Sequence, residues 1–86
     1  MIKVNQNAKK EAIQKAYNDA IEQAKAAAER GQEYVTVNYW APGYSEGSDV
    51  NSMLREQGVV CQERGFGSYL RRDGSYDFSV RCRIVN

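Results

Sequence analysis

Between Asn7 and Arg30 the apolar positions Ile13, Ala16, Tyr17, Ala20, Ile21, Ala24, Ala27 and Ala28 recur at spacings of three and four. That spacing places them on one stripe and predicts a single long helix. Asn5 or Asn7 can cap its start, and Gly31 stands where a left-handed C-terminal cap is wanted. The stripe is rich in Ala, which allows close approach to a sheet or to another helix. At 1.5 Å per residue the helix is about 35 Å long, more than a small sheet can cover. Its far end is therefore expected to meet a second subunit.

The period then changes from 3.6 to two. EYVTVNYW (33–40) reads as a strand, with Val35, Val37 and Tyr39 on one face and Tyr34, Thr36, Asn38 and Trp40 on the other. Apolar surface on both faces predicts a central strand. NYWAPGYSEGSDVN (38–51) breaks the pattern with the only Trp and the only Pro, and reads as a loop. Ser48 or Asp49 caps a short helix at 49–57, with Val50, Met53 and Leu54 as its apolar face and Gly58 as its stop. From 59 to 85 the chain reads as a hairpin around Arg72-Asp73-Gly74, with Gly74 as the bulge residue of a three-residue loop. Tyr76, Phe78, Val80, Cys82 and Ile84 point inward along the last strand, with Asp77, Ser79, Arg81 and Arg83 outward. The turn sets Tyr76 opposite Leu70, Val80 opposite Phe66 and Arg83 opposite Glu63. Carried back unchanged, that register turns Cys61 out of the core. One extra residue at Gly65-Phe66-Gly67 restores Val59 and Cys61 to the apolar face, so GFG reads as a β-bulge. A phosphate cradle is excluded there, since no helix and no GK[ST] follow the glycines. MIKV (1–4) alternates and reads as a short edge strand.

These elements give one α+β domain over residues 1–86 in the order (β)αβαββ. A long Ala-rich helix and a short helix pack on a small mixed sheet that ends in a β-hairpin. Eighty-six residues bury only about 60–65% of the surface of the unfolded chain, so a homo-oligomer is expected. Hydrophobic content of 42% and charged content of 27% suit a globular chain, and a net charge of +1 exerts no general pull on nucleic acid or acidic lipid. No apolar run is long enough to span a membrane, and MIKVNQNAKK carries no secretory signal. Every Lys lies within the first 25 residues, and every later cation is Arg, which can bond bidentately and stack on rings. Two cysteines make no disulfide scaffold, so Cys61 and Cys82 are expected as buried thiols in a reducing, cytoplasmic setting.

IEQAKAAAERG (21–31), YVTV (34–37), MLREQGVVCQ (53–62) and YDFSVRCRI (76–84) together resemble a broad group of small phage-encoded α-β-α-β-β proteins. The resemblance implies a phage or mobile-element context in a host cytoplasm, and it assigns no site residues. An anti-defence role, as an inhibitor or sponge acting on a host factor or small ligand, rests on that resemblance. With MIKV as a strand, the order also resembles the βαβαββ topology of Alba-like nucleic-acid-binding domains, a likeness of fold alone.

The chain has no His, which removes the commonest general base and most metal sites. Two Cys without His partners make no zinc site. Glu63 and Asp77 are expected to pair with Arg81 and Arg83 across strands rather than to act as acid and base. Ser45, Ser48 and Ser52 have no neighbouring base. The expectation is a non-enzymatic binding protein with no cofactor. Trp40 and Tyr44 flank Pro42-Gly43 and are either a lid on the core or an anchor for a host protein or small ligand. Tyr69, Arg71, Arg72 and Tyr76 at the hairpin tip are the second candidate, suited to nucleic acid.

Overall fold

The computed structural model describes residues 1–62 and 67–85. Helix α1 spans Gln6–Glu29, and the side chain of Asn5 accepts from the backbone N–H of Ala8 at 3.1 Å. At its other end Gly31 has φ +77°, Gly31 N–H donates to the Ala28 carbonyl, and Gln32 N–H donates to that of Ala27. That pair of bonds is a Schellman closure, and it needs the left-handed conformation that Gly adopts without penalty. Strand β1 is Tyr34–Ala41, helix α2 Tyr44–Glu56, strand β2 Val59–Cys61, strand β3 Gly67–Leu70 and strand β4 Tyr76–Ile84. Residues 1–5 are not a strand. Met1, Ile2 and Val4 are exposed, because four residues with no strand beside them cannot satisfy their backbone.

Strand β4 is the centre of the sheet. It pairs along its length with β1 on one side and with β2 and then β3 on the other, and every pairing is antiparallel. The sheet is thus not mixed in its pairing. β1 and β2 do run parallel to each other, separated by β4 and joined through α2. β1 is an edge strand, contrary to the central position that its two apolar faces suggest.

The hairpin forms as the turn chemistry dictates. Arg71 N–H donates to the Ser75 carbonyl at 2.8 Å, closing Arg72-Asp73-Gly74, with Gly74 at φ +89°. Leu70 lies opposite Tyr76, as expected. Gly67 pairs with Ser79 while Cys61 pairs with Cys82, so β4 advances three residues where the facing chain recedes six. The excess is three residues instead of one. An odd excess returns Val59 and Cys61 to the apolar face, as one residue would. Arg83 faces Val60 instead of Glu63. The GFG bulge and the pairing of Phe66 lie outside the described residues.

This register corrects the reading of the cysteines. Cys61 and Cys82 are cross-strand partners with Cα atoms 3.9 Å apart, and they form a disulfide. Gln62 N–H donates to the Arg81 carbonyl, which leaves the neighbouring Cys61–Cys82 pair at a non-hydrogen-bonded position, where side chains come closest. The expectation of a reducing setting leaned on two unpaired thiols, and the bond removes that support.

One face of the sheet carries the core. Val37, Tyr39, Phe78, Val80 and Cys82 meet Ala16, Ala20 and Ala24 of α1 and Val50 and Leu54 of α2. All four fully buried residues of α1 lie between Ala16 and Ala27. The turns before Ala16 pack less and are tied to α2 by the Lys9–Glu46 ion pair at 3.2 Å. Helix α2 begins five residues earlier than the sequence suggests. Gly47, read as loop, is buried against the Phe78 ring, and Glu46 is buried beside Lys9. The expected loop shrinks to Pro42-Gly43, with Gly43 as the N-cap.

Candidate functional site

Alternation along β1 and β4 gives the sheet a second face that neither α1 nor α2 covers. Pairing sorts it into rows: Tyr34, Arg83 and Val60; Thr36 and Arg81; Asn38, Ser79 and Gly67; Trp40, Asp77 and Tyr69. Three aromatic rings stand on this face, Tyr34 at 50% exposure, Trp40 at 39% and Tyr69 at 71%. The third row holds only small side chains. It floors a shallow depression of about 530 Å³ walled by Trp40 and Tyr69.

Trp40 does not seal the core. Its position in β1 points it away from the cluster that Tyr39 and Ala41 join. Its indole N–H donates to Ser75 Oγ at 2.9 Å, and the Ser75 hydroxyl and backbone N–H both donate to Asp73 Oδ1. These bonds hold the Asp73 carboxyl below its ordinary range, with the Ser75 hydroxyl as the largest cause. The indole is therefore anchored to the hairpin turn with ring surface still open to solvent.

Arg71 donates through Nε and Nη2 to the two carboxylate oxygens of Asp77 at 2.7 and 2.8 Å. The expected pairing of Asp77 with Arg81 or Arg83 is replaced by this bidentate bridge, which the geometry of the hairpin brings within reach. Glu63 lies outside the described residues. Arg81 instead sits over the Tyr34 ring at 5.3 Å. Among the described residues no carboxylate forms an ion pair with Arg81 or Arg83.

The structure brings together Trp40, Tyr69 and Arg71 around Asp77. Arg72 stands apart in the turn. Tyr44 is on the opposite side of the sheet, edge-on to Tyr76 at 5.5 Å and tilted on Phe78 at 5.8 Å, so it packs over the aromatic end of the core. Tyr76 stacks on Phe78 and belongs to that same cluster. The same face also holds Tyr34, Arg81 and Arg83, which are not among the residues expected at a site although their outward positions are visible in the alternation. Arg81 and Arg83 read as partners of acids that the fold places elsewhere or leaves outside the described residues.

Tyr39 and Glu46 serve the fold. Tyr39 is buried, its hydroxyl shared between the Gly47 carbonyl at 3.2 Å and Asn51 Oδ1 at 3.3 Å, and burial pushes its pKa well up. Burial alone would raise Glu46. Its own backbone N–H, Lys9 and Ser45 outweigh that and hold the carboxyl below its ordinary value. Among the described residues no three or more His, Cys, Asp or Glu gather as metal donors, and no helix is long and apolar enough to cross a membrane. No family model, curated protein or solved structure matches the chain.

Proposed function

We propose that this protein is a non-enzymatic binding protein that receives its partner on the open face of the sheet. One observation carries the reading: exposed Trp40, Tyr69 and Tyr34 share a face with Arg81 and Arg83, which form no ion pair among the described residues. Trp, Tyr and Arg dominate binding energetics: the two rings bury a large, rigid area, and the Arg fork bonds bidentately and stacks on rings. The lack of His supports a role without catalysis. An inhibitor or sponge acting on a host factor or small ligand in a phage context rests on the sequence resemblance. So does a cytoplasmic setting, and the disulfide argues instead for an oxidising compartment.

Native mass spectrometry of protein purified from its own cells tests the reading. A molecule retained by the wild type and lost from Trp40→Leu and Tyr69→Ser variants supports it. Retention unchanged in both variants overturns it.

Self-association belongs to the same proposal. It is supported by the exposed Met1, Ile2 and Val4 and by the lightly packed first turns of α1. A sedimentation mass of one chain at micromolar concentration rules it out. Nucleic-acid binding by the hairpin tip alone has less support, because Asp77 neutralises Arg71 and Asp73 stands beside Arg72.

A further inference from the structure

We propose that the open sheet face binds single-stranded nucleic acid, stacking bases on Tyr69, Trp40 and Tyr34 and holding phosphates with Arg81 and Arg83. The proposal rests on the open face being the binding surface and names the partner's chemistry. Charge complementarity carries it. Asp77 is the one carboxylate among the described positions of this face, and Arg71 neutralises it with a bidentate bridge. The two Arg two residues apart on β4 have no acid of their own among the described residues, so their rows are cationic among those residues although the whole chain is +1. Rings beside guanidinium groups are what a single strand needs, since every base has a π-face and every nucleotide a phosphate.

Shape agrees with charge. Trp40 lies six positions beyond Tyr34 in β1, about 20 Å along the strand, enough for a few unstacked nucleotides. The floor of Asn38, Ser79 and Gly67 lets a flat ring approach the sheet beside the row of Tyr69, Asp77 and Trp40. A Cβ at Gly67 would lie 3.1 Å from the Ser79 carbonyl, so the floor has little room for anything larger. A duplex shows its base faces only at its ends, which selects the single strand.

Trp40 is the only Trp, so its fluorescence reports the site directly. The test is a titration with 12-nucleotide oligo(dT) and oligo(rU), in separate arms, between 50 and 200 mM salt. Saturable binding of either is expected, the arms distinguishing DNA from RNA. The plot of log K against log salt should have a slope of about −1.4 for two phosphates neutralised on a single strand. Arg81→Gln and Arg83→Gln should each reduce that slope by about 0.7. Tyr69→Ala should weaken binding about tenfold and leave the slope unchanged, while Tyr69→Phe retains affinity. Tyr69 is exposed, so its loss leaves the fold intact, as circular dichroism would verify. Binding of neither oligonucleotide at 50 mM salt overturns the proposal, as does tighter binding to a duplex. Affinity unchanged in Tyr69→Ala and Arg81→Gln overturns it too, and places the nucleic acid elsewhere. If neither oligonucleotide binds while the retained molecule is still lost from Tyr69→Ser, the ligand class fails and the binding surface stands.

Discussion

Gln23 binds Asn38 as a neighbouring strand would. Its side-chain amide donates to the Asn38 carbonyl at 2.7 Å and accepts from the Asn38 N–H at 2.8 Å. β1 is an edge strand, and one glutamine of α1 occupies two of the backbone groups that an approaching strand would use. Gln23→Ala is expected to cost about 1 kcal/mol and to raise self-association through the freed edge. Urea unfolding measures the first effect and light scattering over a concentration series the second. Unchanged scattering and stability would show that the amide does not guard the edge.

Ser75 links the open face to the hairpin turn. Ser75→Ala removes the acceptor of the Trp40 indole and one of the two bonds to Asp73, leaving the backbone bond. A loss of about 1 kcal/mol is expected. The single indole N–H resonance should shift toward the position of a solvent-bonded indole. A resonance that stays in place would dissolve the link.

Gly47 sits inside α2, where Ala is favoured by about 1 kcal/mol on helix propensity. A Cβ there would stand 2.5 Å from Cζ of Phe78, a ring held by Tyr39, Tyr44 and Tyr76. Overpacking of this kind costs about 1–3 kcal/mol. Gly47→Ala should therefore lower the melting temperature. A rise would mean that the ring moves freely.

The Cys61–Cys82 bond closes a loop with a sequence separation of 21. Chain entropy gives such a crosslink about 3 kcal/mol. Unfolding in urea with and without a reductant should show a loss of that order, absent in a Cys61→Ala, Cys82→Ala double variant. Equal midpoints under both conditions would argue against the bond in solution.

Glu46 makes stability depend on acid pH. Its folded pKa is lowered, so its contribution is complete above the ordinary carboxylate value of about 4.3. It is lost as pH falls through the lower folded value, because the unfolded chain then binds the proton first. Asp73 titrates in the same direction, so Glu46→Gln is needed to isolate the effect. That variant should be less stable near neutrality and flatter below pH 4.3. An unchanged slope would remove Glu46 from the acid transition.

Much of the fold could be read locally. The alternation of β4, the three-residue turn with Gly74 and the cap at Gly31 depend on residues near one another in the chain. Steric and hydrogen-bonding preferences act at that range, and the elements appear where they place them. The start of α2 was not legible, because Tyr44-Ser45-Glu46-Gly47 has weak helix propensity of its own. Contacts with Lys9 and Phe78, far away in sequence, supply what propensity lacks.

The candidate site divides in the same way. Outward positions for Trp40, Tyr69, Arg81 and Arg83 follow from a period of two, and the sequence alone is enough to assign them. Tertiary structure decided which of them meet. The edge position of β1, the disulfide, the Arg71–Asp77 bridge and the separation of Tyr44 from Trp40 all depend on strand order and register. A three-residue excess between β3 and β2 sets the pairing of Cys61 with Cys82, and period-two patterning is blind to it because one and three residues restore the same face.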